Sequence, residues 1–355
     1  MSLRKWMRVL STNHRDGRSL TSEESFQAFD QILAGGESDI GIASFLVAMS
    51  WKGVSVEELT GFARAARERA NIPCAGMPGL VTVCPPHDGT ERVPPLEVAA
   101  GLIAAGAGAR VLIVSDQGVP PRRGVTAASA LEGLDVNMTW DPTEAEEWVA
   151  KARFGVVSLA GMLPSIMPLR KIRDQVGIRT PLSTVEKLIS PPESAVVVGA
   201  QSGPVLGRAV EVLQALGHPR AIALQGLEGG VVPSVRRRTR GIESSDGHLV
   251  PIIVEPEDFG LSMSEEPELP FFGPPDVGRG TGDNPELMKA SSDMTQAVLV
   301  GEQGPIRSAS ILAAAVMLRA SGRSMTLAEG VDSATTSLDT GNALSVLDAL
   351  RNLNK

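Results

Sequence analysis

Apolar residues in the first seventy positions recur three and four apart. Phe26, Phe29, Ile32 and Leu33 keep that spacing, as do Ile42, Phe45, Leu46 and Met49, and then Leu59, Phe62, Ala63 and Ala66. Each set forms one face of a helix. Thr21 with Glu24, and Ser55 with Glu58, are capping-box pairs that mark two of the starts, and the "LAGGES" stretch supplies a glycine-rich stop. From residue 80 the period changes. Short apolar runs ("VTVC", "RVLIVS", "FGVVSL", "AVVVGA", "AIALQG", "VPIIV") alternate with helical segments, the pattern of strands buried on both faces in a mostly parallel sheet. Asp141-Pro142 opens one intervening helix, and Thr326 with Glu329 caps a late one. The prediction is an α/β protein: a small helical N-terminal domain plus a larger α/β domain.

Composition narrows the class. The 355 residues suffice for about two domains. A net charge of −8 argues against a generally nucleic-acid-coated surface while leaving room for a local basic patch. Cys74 and Cys84 are the only cysteines, which excludes a disulfide framework, and His14, His87, His218 and His248 show no ligand spacing. "MSLRKWMRVL" lacks a signal-peptide core, and the most apolar stretch is broken by Glu97 and Arg110. A cytoplasmic protein with no membrane contact is expected. Glu265 to Pro285, rich in Pro and Gly, reads as a long surface loop.

Candidate chemistry starts at Cys84-Pro85-Pro86-His87-Asp88-Gly89. A strand precedes this turn and a small-residue helix opens near Leu96, the geometry that cradles phosphate when the turn is glycine-rich. Here two prolines offer no N–H. The segment Gln225 to Glu243 follows the strand "AIAL", turns on Gly226, Gly229 and Gly230, and presents Arg236, Arg237, Arg238 and Arg240. Loops at the carboxyl ends of strands form the ligand crevice of α/β sheets. Four arginines there suit an anion with several charges, or else a solvated loop. Arg122 and Arg123, and Arg170, Lys171, Arg173 and Arg179, are further candidates for the same crevice. Glu228 and Asp88 are carboxylates on glycine turns without the neighbour a magnesium site needs. His87 beside Asp88 reads as a turn-stabilising pair. "GRGTGDN", Gly278 to Asn284, follows no strand and reads as a flexible loop.

The segment "LTSEESFQAFDQILAGGESDIGIASFLVAMSWKGVSVEELTGFARAARE", with "GIRTPLSTVEKLISPP", "VEPEDFGL" and "ASGRSMTLAEGVDSATTSLDTGNALSVLDAL", resembles the anthranilate phosphoribosyltransferases (glycosyltransferase family 3) in order and over nearly the whole chain. The resemblance implies a helical domain over 1–75, rejoined by 164–190, an α/β domain over 76–163 and 191–355, an active site in the cleft, and a homodimer through the helical domain. It also implies magnesium-assisted phosphoribosyl transfer to an amine.

Three of the four groups that carry this reaction are replaced. The family's Gly-Thr-Gly-Gly-Asp-Gly pyrophosphate loop falls on Cys84 to Gly89, where only Asp88 and Gly89 match. Its Asn-Arg-Ser cluster falls on Asp116, Gln117 and Gly118. Its magnesium Asp-Glu pair falls on Val231 and Val232. The aromatic-acid-binding arginine corresponds to Arg173. The replacements resemble the YbiB-type branch, which shares a run like Thr184 to Pro191 and a turn like Gly226 to Gly229 and is associated with single-stranded nucleic acid. The expectation is therefore a protein without cofactor or magnesium that has lost standard phosphoribosyl pyrophosphate chemistry and binds a polyanion. The phosphate-binding set would be Asp88, Gly89, Arg122, Arg123, Arg173, Gly226, Glu228, Arg236, Arg237, Arg238 and Arg240. An active transferase whose arginines replace magnesium remains open, taking a phosphorylated small molecule, as does a regulatory partner of a true family enzyme.

Overall fold

The computed structural model describes residues 3–11, 17–201, 203–245, 247–270 and 280–354. His14 and Gly278, and part of the Pro- and Gly-rich stretch, lie outside them. The helical unit has four members: α1 (Arg4–Ser11), α2 (Ser22–Leu33), α3 (Asp39–Lys52) and α4 (Val56–Arg69). Both capping boxes form, with Thr21 and Ser55 each accepting from the backbone of the glutamate three residues on. The expected apolar faces are the buried ones, and Phe29, Phe45 and Phe62 meet at their centre. The periodic runs gave no sign of α1, which is too short to show a repeat.

Among the described residues seven strands make one sheet, β1 (Leu80–Cys84), β2 (Arg110–Val114), β3 (Phe154–Val157), β4 (Ala195–Gly199), β5 (Arg220–Leu224), β6 (Thr239–Ser245) and β7 (His248–Val254), in the order β3-β2-β1-β4-β5-β6-β7. The first five are parallel, and β6 and β7 are antiparallel additions. Side chains of a strand alternate between faces, and both faces are buried here. Val81, Val83, Val111 and Ile113 pack with α5 (Glu97–Gly106) and the helix Pro305–Ala320. Cys84, Leu112, Val114 and Val198 face the other way, into a core shared with α2 to α4. The helix Ile166–Val176 packs on α3. One sheet face and the helical unit thus share a hydrophobic layer, and this fixes the cleft between them.

The strand β6 corrects the sequence reading, which took Gln225 to Glu243 as loop. "TRGIESS" has few apolar residues, yet it pairs with β5 on one side and β7 on the other. Arg240 is therefore on a strand, not in the loop. No helix among the described residues is long and apolar enough to cross a membrane.

Candidate functional site

The parallel strands β1 to β5 end on the same edge of the sheet, and three cavities among the described residues line it. The central one, about 600 Å³, lies over β1 and β4 and reaches Ser50 and Val54 of the helical unit. A second, about 580 Å³, lies over β5 and the start of β6. The two share Gln201 and Gly229. A third, about 280 Å³, sits over β2 and β3.

The turn after β1 is closed by its own protein. Gly89 N–H donates to the Pro86 carbonyl (2.9 Å), and Gly124 N–H to that of Asp88 (2.8 Å). Both Asp88 carboxylate oxygens accept from Arg179, at 2.7 and 2.9 Å. Gly89, at φ 72°, has no room for a Cβ, which would lie 2.5 Å from Gly124. Starting two residues on, the N–H groups of Glu91, Arg92 and Val93 all donate to one Glu228 oxygen at 3.0–3.1 Å. Successive N–H groups converging on one point form an anion nest, and here an internal carboxylate fills it. Asp88 and Glu228 are thus structural anions with their charges already met, which corrects their place in the expected phosphate set.

His87 does not pair with Asp88. Its nearest carboxylate is Asp116, 3.9 Å away, and neither ring nitrogen has a hydrogen-bond partner. Burial holds its pKa below the ordinary value, so the ring is neutral. Behind it runs a buried chain of charge. Arg173 Nη1 donates to Glu186 (2.7 Å), Glu186 accepts from Arg170 Nε (2.9 Å), and Arg170 Nη2 donates to Asp116 (2.5 Å). Burial alone would raise the Glu186 carboxyl, but the guanidiniums of Arg173 and Arg170 hold it at about 2. Arg173 still has Nε and Nη2 without partners, and Thr180 Oγ1 is in the same state. Both line the central cleft with His87. Lys187 donates to the Gly199 carbonyl there, and burial brings its ammonium down to about 8. The buried Cys84 thiol is pushed up to about 12, which removes it as a nucleophile.

The arginines divide by environment. Arg122 braces the turn through the Gly89 carbonyl and lies 3.9 Å from the Glu91 carboxylate, and Arg123 pairs with Asp174. Arg236, Arg237, Arg238 and Arg240 are exposed, and among the described residues only Arg238 has an ion pair, with Glu255. Arg237, Arg238 and Arg240 line the cleft over β5. Their loop is built: Ser234 Oγ accepts from the N–H of Arg236 and of Arg237, and the N–H of Ser234 donates to Thr239. Gly226 lines that cleft too, but packing explains it, since a Cβ would lie 2.4 Å from the Gly230 carbonyl. Gly280 and Gly282 press on the backbone at Arg123 and Gly124 and hold that loop.

Residues 95–344 match the glycosyl transferase family a/b domain, and residues 12–70 match the helical bundle domain of the same family. The chain belongs to this family. It is 29% identical over 346 residues to an anthranilate phosphoribosyltransferase of Symbiobacterium thermophilum, covering 97% of each chain. To that of Bacillus mycoides it is 27% identical over 336 residues, covering 94% of each. The crystal structure of the enzyme from Thermus thermophilus superposes with a TM-score of 0.81 at 26% identity, over 99% of each chain. Thr180 and Glu186, which line the central cleft, went unassigned in the sequence, and His87 was read there only as a turn partner of Asp88. A buried Glu-Lys pair inside the apolar "STVEKL" run was their one available signal.

Proposed function

We propose that this family member does not carry out magnesium-dependent phosphoribosyl pyrophosphate chemistry and binds a polyanion, single-stranded nucleic acid, along the clefts over β1, β4 and β5. The observation that carries this reading is the filled nest. Glu228 occupies three N–H groups that a donor pyrophosphate would need free. Val231 and Val232, which the resemblance puts at the metal pair, are buried hydrocarbons and do not fit a hard cation that takes oxygen ligands. Arg236, Arg237 and Arg240 supply exposed positive charge beside the clefts.

A second reading has one specific support. The unpartnered donors of Arg173 and Thr180 suit a small carboxylate, as an active transferase with altered donor handling would need for its acceptor.

Calorimetry with phosphoribosyl pyrophosphate, with and without magnesium, beside a single-stranded oligonucleotide separates the two. The expected result is no magnesium-dependent binding, with oligonucleotide affinity that falls as salt rises. Three phosphate contacts give a log–log slope of roughly −2, at about −0.7 each. Arg237→Glu with Arg240→Glu should flatten that slope by about 1.4 and weaken all sequences alike, because phosphates carry no base identity. Micromolar binding of phosphoribosyl pyrophosphate that chelator abolishes would overturn the proposal.

A further inference from the structure

The third cavity has a different chemistry from the other two. It is lined mainly by carbon, from Val119, Pro120, Trp140 and Met167, with Lys171 and Arg123 among its charged groups. Trp140 is 55% exposed and Met167 43%. The chain has four tryptophans; Trp6 and Trp148 are buried, and Trp51 lies on α3. Trp140 is the one that lines a cavity of the sheet edge. Lys171 is exposed with no ion pair among the described residues. Of the polar lining, the buried Asp116 accepts from Arg170 and from Ser158, and the exposed Gln117 amide donates to Glu132 and accepts from Ser129.

An exposed indole beside a free ammonium, with the Asp116 carboxylate behind it already bonded, suits a flat ring joined to an anion. It does not suit a polar ligand that needs many partners. The buried Asp116–Arg170–Glu186–Arg173 chain separates this cavity from the central cleft, but all three cavities open on one edge. From β3 to β6 that edge crosses five strand spacings of about 4.8 Å, roughly 24 Å, a span that a short single strand bridges.

We infer that the cavity over β2 and β3 is a nucleobase pocket, in which a base of the bound strand stacks on Trp140 and the adjoining phosphate meets Lys171. This rests on the nucleic-acid reading above and adds to it the groups that hold a base. Stacking platforms tolerate every base because each has a π-face, and the occupied Asp116 and Gln117 leave little to read a base edge. The pocket therefore adds affinity without sequence preference.

The test measures binding of a deoxythymidine oligomer of about twelve residues to the full chain and to Trp140→Ala, Trp140→Phe and Lys171→Glu. Alanine substitution of a stacking aromatic costs about 1–3 kcal/mol per base, so Trp140→Ala should weaken binding by about five-fold to a hundred-fold with the salt slope unchanged. Trp140→Phe should keep most of the affinity. Lys171→Glu should weaken binding and flatten the slope by about 0.7, a result that does not depend on how Trp140→Ala folds. Wild-type affinity in both Trp140→Ala and Lys171→Glu, while the arginine-loop variant is weakened, overturns the base pocket and leaves the polyanion reading standing. No oligomer binding by the unmodified chain overturns both.

Discussion

Glu97 sits in the first turn of α5, behind Pro94 and Pro95, and is 6% exposed. A helix N-terminus favours a carboxylate, but burial outweighs it and raises the carboxyl to about 7 from an ordinary 4.5. The folded state therefore binds this proton more tightly than the unfolded chain does. Stability from Glu97 is fully present below about pH 4.5 and is lost as pH rises to about 7. At roughly 1.4 kcal/mol per unit, the loss is on the order of 3 kcal/mol. Glu97→Gln keeps the shape without the charge. It should raise the melting temperature at pH 8 and change it little at pH 4.5, checked by thermal melts across that range. An equal shift at both ends would assign the effect to packing. At this scale the sequence was readable where a residue's partner is close in the chain: Thr21 and Ser55 cap α2 and α4 as their spacing implies. It was not readable where a role depends on partners far along the chain. Arg173 gave no sequence sign of its ion pair with Glu186.

The link between the loops after β1 and β5 is a single side chain. Glu228 adopts φ 50°, a left-handed backbone uncommon for a non-glycine residue, and spans more than 130 positions of sequence to reach residues 91–93. Glu228→Ala should release those three amides, speeding their hydrogen exchange and costing about 1–3 kcal/mol. Glu228→Gln, which keeps an acceptor, should lose less. Unchanged exchange at 91–93 in the alanine variant would show that the nest is held by other contacts. Strand positions were legible wherever both faces are buried, since β1 to β5 are apolar runs of four or five residues. β6 escaped because its place in the sheet comes from its neighbours and its own residues alternate between core and solvent. Helices were legible in proportion to length and capping, which is why α2 and α4 were placed and α1 was not.

On the outer surface of the helical unit, α3 carries a second apolar stripe. Ile42, Phe45, Leu46 and Met49 face the core, while Ile40, Val47 and Trp51 are 80%, 37% and 93% exposed. Their spacing of seven and four puts the three on one face. A large exposed stripe of this kind marks an interaction surface, and the occupant proposed is a second copy of the chain, as the family resemblance implies. Trp51→Glu should convert dimer to monomer in light scattering at tens of micromolar, with the far-ultraviolet circular dichroism unchanged because the side chain supports no core. A wild-type chain that is already monomeric there would sink the proposal. Salt gives an independent check, since each protomer carries a net charge of −8. Like charges repel across an apolar interface, and ions screen that repulsion over about 10 Å at 0.1 M, so added salt should tighten the dimer. The same salt releases a bound nucleic acid. Self-association and oligonucleotide binding should therefore respond with opposite sign, and a strand that binds only because two acidic protomers have come together would break that opposition.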